Sequence, residues 1–402
     1  MNEAESIKSE IFSLVEKYTK LAHTQKEFVP GQSAVPVSGK VFDHKELQYI
    51  VDSALDGWFT TGRFNTEFEK KLASYVGVNK VLTVNSGSSA NLLAVSALSD
   101  ASWGAKAIQP GDEFITTPVS FPTTINPFLL YGLKPVFVDI DPSTLNLDVV
   151  KTIQMVNQDQ SIKAIIPVHF AGQPVDICEL KNGLNRSLII IEDAAHALGT
   201  TYNGKKTGNH FPFTVFSFQA IKHLTTIDGG ALQIQDKELY EKGKLIRWFG
   251  LDKKLTRLEN DIQIQGYKYH MNNVNATIGL VQLETIEELL QKYRTIGKYL
   301  DSKLNGLPGI ETVVHYPNSE SSYWLYTLKV DRRDKFIKMM ADNGFMASEI
   351  HKRNDFHSYL NDHPAEMPNL DKFYSRLVHI PCGWWVTLED CDNMIELIKK
   401  GW

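Results

Sequence analysis

Lys222 has an unusual setting for a charged side chain. It follows Phe216-Ser217-Phe218-Gln219-Ala220-Ile221, precedes His223-Leu224 and lies ahead of a Gly229-Gly230 turn. An amine in an apolar pocket or near other cations has a lowered pKa, and its neutral form attacks a carbonyl carbon to give a Schiff base. A solvated surface charge is the plainer reading of any single lysine; the hydroxyl of Ser217 and the glycine turn favour the chemical one. A second run, Ile190-Ile191-Glu192-Asp193-Ala194-Ala195-His196, ends an apolar stretch on two carboxylates. Asp193 either caps a helix start or keeps a heterocyclic nitrogen protonated. His196 is either a satisfied core histidine or a ligand contact, and Glu192, on the opposite strand face, reads as structural. Asn85-Ser86-Gly87-Ser88-Ser89-Ala90-Asn91 opens a helical pattern at Leu92, Leu93 and Val95. Hydroxyls and backbone N–H groups at a helix start either cap it or bind an anion. The run lacks the Gly-Lys-Ser/Thr of a nucleotide loop and the spacing of a dinucleotide fingerprint, so a simple phosphate ester is what it would hold. In Ser120-Phe121-Pro122-Thr123-Thr124 the ring of Phe121 either joins the core or stacks on a planar ligand.

Together these segments divide one task into four. The Asn85–Asn91 turn would hold a phosphate, Phe121 cover a ring, Asp193 keep a pyridine nitrogen protonated and Lys222 carry an aldehyde. The set describes a pyridoxal phosphate site far more specifically than any member does.

The elements that must position these residues follow from hydrophobic spacing. From about residue 44 to 250, helical patterns alternate with short runs apolar on both faces. The runs are Lys80 to Val84, Glu113 to Thr117, Pro135 to Asp139, Ala164 to Val168, Leu188 to Glu192 and Thr214 to Phe218. Alternation of that kind marks an α/β domain with a largely parallel sheet, and ligands gather at the carboxyl ends of such strands. Ile7, Ile11, Leu14, Val15 and Tyr18 have helical spacing and predict an amphipathic opening helix, followed by a polar linker over roughly residues 25 to 40. A long helical pattern over 274 to 300 leads to a strand at Tyr323 to Val330, a helix at Lys335 to Asn343 and a strand-loop-helix end. The expected division is an N-terminal helix and linker at 1–40, a large domain at 41–273, and a linking helix with a smaller α+β domain at 274–402.

Composition limits the partners. The 402 residues include 42 basic and 47 acidic side chains, a net charge of −5, which lacks the positive field that nucleic acid or an anionic membrane surface attracts. Three scattered cysteines, Cys178, Cys382 and Cys391, suit a reducing compartment and are too few for a four-cysteine metal or iron-sulfur site. No metal is expected. The first residues show neither a signal peptide nor a membrane span, and a cytoplasmic location is the reading.

The motifs resemble the sugar aminotransferase and dehydratase family of fold-type I pyridoxal phosphate enzymes, the DegT/DnrJ/EryC1/StrS type, which modifies nucleotide-linked 4-keto sugars. The resemblance runs from about residue 40 to 400. Besides the runs above it includes Gly57-Trp58-Phe59-Thr60-Thr61-Gly62, Pro110-Gly111-Asp112-Glu113, Pro135-Val136-Phe137-Val138-Asp139 and Gly266-Tyr267-Lys268-Tyr269-His270-Met271. It implies a mostly parallel sheet of the seven-stranded type and a homodimer with its active site between subunits. It also implies pyridoxal or pyridoxamine 5′-phosphate as cofactor, with Lys222 as the Schiff-base lysine and Asp193 on the pyridine nitrogen. Gly87, Ser88 and Ser217 are then at the phosphate, Phe121 over the ring, and His196 near the cofactor hydroxyl. Many relatives read Gly-Tyr-Asn-Tyr-Arg where this chain has Lys268 and His270. The asparagine usually reaches the partner subunit's phosphate, so Lys268 inherits that role. Thr61, His223, His351 and Arg353 are the candidate substrate contacts; the basic groups of Glu349-Ile350-His351-Lys352-Arg353-Asn354-Asp355 either meet a diphosphate or form a solvated loop.

The first 140 residues, notably Phe28-Val29-Pro30-Gly31, Pro36 to Val41 and Leu55 to Lys71, are most similar to 3-dehydratases of CDP-linked 4-keto-6-deoxyhexoses. Those enzymes carry histidine at the lysine position and use a cysteine-bound iron-sulfur cluster. With Lys222 present and three cysteines in all, the resemblance implies transamination instead. L-glutamate is the expected amino donor, 2-oxoglutarate its product, and a nucleotide-linked 4-keto-6-deoxy sugar, CDP-linked by analogy, the acceptor.

Overall fold

The computed structural model describes residues 2–23, 34–39, 42–349 and 351–402. The linker expected near 25–40, the Phe28 to Gly31 motif and the ends of two further motifs, Lys40-Val41 and Ile350, fall wholly or partly outside the described residues.

Seven short strands form the central sheet: β1 (Val81–Val84), β2 (Glu113–Thr116), β3 (Lys134–Phe137), β4 (Ile162–Ile165), β5 (Ile189–Asp193), β6 (Phe213–Ser217) and β7 (Gly230–Ile234). Their spatial order is β1-β7-β6-β5-β4-β2-β3. Strands β6, β5, β4, β2 and β3 run parallel, while β7 is antiparallel to both β6 and β1. The six strands expected from apolar runs are all present within a few residues. Strand β7 is the addition: the Gly229-Gly230 turn folds Gly230–Ile234 straight back along β6, pairing Ser217 with Gly230.

The sheet is apolar on both faces because helices cover both. Helix α1 (Glu3–Ala22) opens the chain, followed by α2 (His44–Leu55), α3 (Arg63–Val76) and α4 (Gly87–Leu98), and the long α5 (Asn273–Leu304) runs beside α2 and α3. Asn2 caps α1 with a reciprocal bond to Glu5, and the helix lies on α2, tied by a Lys8–Asp52 ion pair and by Gln48 Nε2 donating to the Phe12 carbonyl at 2.9 Å. A second, antiparallel sheet follows α5. Its strands β8 (Ile310–Thr312), β9 (Tyr326–Val330) and β10 (Leu377–Ile380) stand in that order, with helices α6 (Arg333–Asp342), α7 (Pro368–Tyr374) and α8 (Leu388–Lys400) between and after them. One buried apolar cluster joins α3, α5 and this second sheet through Phe68, Leu72, Leu290, Tyr293, Leu328 and Ile380. The segment just before β9 is thereby held against the central sheet. No described helix is long and apolar enough to cross a membrane.

Candidate active site

The carboxyl ends of β1, β5 and β6 meet over one cavity of about 420 Å³. Each contributes a different kind of group because a parallel strand ends where its backbone hydrogen bonding stops and its next residues turn outward.

After β1, Ser86 caps α4 by accepting from the Ser89 amide at 3.1 Å. Ser88 Oγ donates to Thr123 Oγ1 at 2.8 Å, which orients that hydroxyl at the cavity wall. The start of a twelve-residue helix offers amide N–H groups and a positive dipole end to an anion. Glycine is required here by packing. A Cβ on Gly87 would lie 2.9 Å from Ser217 Cβ, and one on Gly230 would lie 2.5–2.6 Å from the Ser86 carbonyl carbon and the Gly87 nitrogen. Strand β7 and Ser217 are thus pressed onto the helix start. Gly230→Ala is expected to lower stability by about 1–3 kcal/mol, as overpacking does, and to weaken pyridoxal phosphate binding by displacing the Gly87 amide. Denaturant midpoints and a cofactor titration check both effects.

After β5, the Asp193 carboxylate is 4% exposed at the cavity base. Its Oδ2 accepts from Thr124 Oγ1 at 2.7 Å and its Oδ1 from the Ala195 amide at 3.1 Å, so its direction is set twice. Behind it, Glu192 is fully buried and accepts from Thr214 Oγ1 at 2.7 Å and from His169 Nε2 at 3.0 Å. The backbone amide of Val175 donates to His169 Nδ1, which leaves the ring proton on Nε2 for Glu192. This network fastens β4, β5 and β6 beneath the site.

His196 stacks on Trp324 with centroids 3.8 Å apart and planes at 25°. The Ala171 amide points at its Nδ1 at 3.4 Å, and burial, with Lys222 and His351 adding to it, lowers its pKa well below the usual imidazole value. A neutral ring with its proton on Nε2 results.

After β6, a tight turn in which the Lys222 amide donates to the Gln219 carbonyl at 2.9 Å brings Lys222 back over the cavity. Burial lowers the Lys222 pKa to about 7, with Asp193 opposing. Its Nζ stands 3.5 Å from the ring centroid of Trp324. Phe121, half exposed, and His351 also line the cavity, rings 5.3 Å apart in a T-shape, and the His351 ring lies 6.3 Å from that of His196.

The cavity therefore gathers Gly87, Ser88, Phe121, Asp193, His196, Ser217, Lys222 and His351. Four other candidates are placed elsewhere. His223 is 2% exposed and turned into the core, its Nε2 donating to the Ser322 carbonyl at 2.9 Å and its ring edge-on to Tyr293. Successive residues of the turn point in opposite directions, so the neighbour of Lys222 has no route to a substrate in this chain. Arg353 is 3% exposed and already neutralised: it bonds Asp355 at 2.6 and 3.0 Å, pairs with Asp371, and lies against Phe356 and Tyr374. A guanidinium so engaged ties its loop to α7 and is not available to a diphosphate. Lys268 is exposed, outside this cavity and 5.7 Å from the Trp248 ring. Thr61 is half-buried in a separate cleft with Arg247, Trp248, Lys253 and His270. In that cleft burial, with Lys253 and Arg247, pushes the His270 pKa down to about 4.

Sequence reasoning missed Trp324 altogether. Its only signal is an aromatic just ahead of a strand, which is common. It also gave no role to Thr123 and Thr124, although both lay in the run singled out for Phe121.

The residues fit pyridoxal phosphate. Two glycines leave no room for side chains where the phosphate cradle closes, a carboxylate with a fixed direction sits at the base, and the buried Oδ1 of Asn91, one turn into α4 on the cavity wall, has no hydrogen-bond partner.

Comparisons with known proteins point the same way. The sequence matches the DegT/DnrJ/EryC1/StrS aminotransferase family over residues 41–399. The chain is similar to lipopolysaccharide biosynthesis protein RfbH of Salmonella typhimurium, 39% identical over 324 residues that cover 75% of this chain and 74% of that one. It is also similar to dTDP-4-dehydro-2,6-dideoxy-D-glucose 3-dehydratase of Saccharopolyspora spinosa, 30% identical over 369 residues, 85% of this chain and 79% of the other. Among solved structures, the sugar aminotransferase CalS13 from Micromonospora echinospora superposes with a TM-score of 0.86 at 34% identity, over 92% of this chain and 100% of that one.

Proposed function

The chain belongs to the DegT/DnrJ/EryC1/StrS aminotransferase family, whose cofactor is pyridoxal phosphate, and from that premise we propose that it aminates a nucleotide-linked 4-keto-6-deoxy sugar with L-glutamate as donor. The product is the 4-amino sugar, a CDP link is favoured for the nucleotide, and 2-oxoglutarate leaves. The observation that supports this reading best is Lys222 itself, a lysine with a depressed pKa facing a cavity that also holds Asp193 and the Gly87–Ser88–Ser217 cradle.

When bound, pyridoxal phosphate supplies an aldehyde that takes up an amino group and a ring that accepts the electron pair left at carbon. The chain's residues do the rest. The α4 amides with the Ser88 and Ser217 hydroxyls bind the phosphate, Phe121 covers the ring, Asp193 holds a proton on the ring nitrogen, and His196 donates to the ring hydroxyl from Nε2. Lys222 would hold the aldehyde carbon through its Nζ and would be released as a free amine when a donor amine takes its place. Its Nζ then takes the proton from the donor's α-carbon and in the second half returns a proton to the sugar carbon that gains nitrogen. In the cofactor-free protein burial lowers the Lys222 pKa to about 7, the range in which an amine can both take and give a proton near neutral pH. Lys268, exposed and outside its own cavity, is assigned to the phosphate in the partner of a homodimer, where its charge offsets the net −5 locally.

A panel of CDP-, dTDP-, UDP- and GDP-linked 4-keto-6-deoxy sugars, each incubated with glutamate and analysed by mass spectrometry, tests the proposal. The expected product carries one amino group in place of the carbonyl oxygen. A product that has lost its 3-hydroxyl without net gain of nitrogen would show a dehydratase and overturn it.

A further inference from the structure

Trp324 has no part in the proposed chemistry, yet it touches two of the groups on which that chemistry depends. It is 2% exposed, lies in the segment between α5 and β9, and reaches the central sheet from the second sheet's side. Its indole makes three contacts at once. One face stacks on His196 at 3.8 Å, the indole N–H donates to the carbonyl of Ile221 at 2.9 Å, and Lys222 Nζ sits 3.5 Å from the ring centroid. A single side chain therefore grips the backbone immediately before the lysine and underlies the lysine's head.

That geometry has a defined electrostatic effect. An aromatic face attracts a cation and is indifferent to a neutral amine, the more so the further the cation is desolvated. Here the cation is largely removed from water, so the ring favours the protonated nitrogen against the burial that opposes it. The indole is itself immobile, locked by the stack and the hydrogen bond, so the nitrogen is held at one position. We infer that Trp324 is the positioning residue for Lys222, fixing the place of its nitrogen and favouring its protonated state, so that the segment leading into the second sheet sets the behaviour of the reacting amine. The inference rests on the proposed role of Lys222 as the cofactor-bearing lysine.

Asp193 from the end of β5, His196 just beyond it, Asp228 from the turn before β7 and His351 line the same cavity as the nitrogen, while His223, next in the chain, is turned toward Tyr293. None of them is removed by changing Trp324. A shift found in the leucine and methionine variants and absent from the phenylalanine variant therefore reports the aromatic face.

The test uses the holoenzyme and compares Trp324→Phe, which keeps an aromatic face, with Trp324→Leu and Trp324→Met, which do not. The absorbance of lysine-bound pyridoxal phosphate is followed from pH 6 to pH 10. Loss of the aromatic face is expected to lower the midpoint of that titration by about 0.5–1 pH unit, the size of a desolvated cation–π contact. Turnover with glutamate should fall about tenfold with KM within about threefold, the pattern of an interaction made at the reacting group. Trp324→Phe should keep the wild-type midpoint and recover most of the turnover. Should Trp324→Leu fail to fold, Trp324→Met, closer in volume, is read in its place. Midpoints that coincide in wild type and in the leucine or methionine variants, or that move equally in the phenylalanine variant, would sink the inference while leaving the proposed function intact. A wild-type protein that forms no lysine-bound band with pyridoxal phosphate would overturn the underlying reading and this inference with it.

Discussion

Lys222→Ala will remove at least ~10³-fold of the transamination rate, the combined loss of the covalent attachment and of the proton shuttle. Pyridoxal phosphate will still bind through the phosphate cradle and Asp193, but its absorbance will stay that of the free aldehyde and will not respond to glutamate as the wild-type spectrum does. Lys222→Arg will be equally inactive, because a guanidinium keeps its proton and forms no bond to the aldehyde. An unchanged glutamate-dependent spectral shift in Lys222→Ala would refute the assignment. The same substitution has a thermodynamic signature in the cofactor-free protein. The folded-state pKa, about 7, lies below the ordinary 10.5, so below pH 7 both states are protonated and the folded state bears the whole cost of a buried charge. Between about 7 and 10.5 the unfolded chain binds the extra proton, and stability rises with pH. Wild type should therefore gain stability over this window relative to Lys222→Ala. Denaturant midpoints at pH 7 and pH 10 measure the difference.

Asp193→Asn will cost about 10²–10³ in kcat while leaving cofactor affinity within about tenfold, the range seen when one preorganised electrostatic partner of a transition state is lost. The structure explains why binding survives. The amide can keep its oxygen toward the Ala195 N–H, and the Thr124 hydroxyl, which donates to Asp193 at 2.7 Å, can rotate to accept from the new amine. Shape and hydrogen bonding are preserved, and only the negative charge is gone. What the variant lacks is the means to hold a proton on the ring nitrogen as electrons arrive. Single-turnover absorbance with glutamate, beside an equilibrium cofactor titration, separates the two effects. A variant that loses binding and turnover together would show that Asp193 acts as an anchor and not as an electrostatic partner.

The parts of the site that were legible in the sequence share one property: they lie at the ends of apolar runs. Asp193 after Ile189–Ile191, Lys222 after Phe213–Ser217 and Gly87 after Val81–Val84 stand where a buried parallel strand must stop and turn, and a parallel sheet brings such ends to one edge. Spacing along the chain thus already implied nearness in space. Strand β7 escaped because Gly230–Ile234 directly follows a glycine turn; its identity comes from pairing with β6 and β1, which is a relation between distant segments.

Placement departed from expectation wherever the direction of a side chain mattered. His223 is next to Lys222 in sequence, yet it faces Tyr293 and the Ser322 carbonyl, since adjacent residues of a turn diverge. Arg353 looked like a free cation in a basic run, but its charge was already committed to Asp355 and Asp371, one of them distant in sequence. Trp324 carries no motif, and its importance lies wholly in contacts with His196, Ile221 and Lys222 across the molecule.

Strand-end positions and residue types are local properties, so Lys222, Asp193 and Gly87 could be placed at one sheet edge from their spacing alone, where the parallel strands bring them together. How those groups are tuned, and which of their neighbours are turned away, follows from packing in three dimensions. Desolvation of Lys222, the double grip on Asp193, the burial of His223 and Arg353 and the clamp of Trp324 all depend on packing between segments far apart in the chain, and burial acts on a charge only through the atoms that surround it.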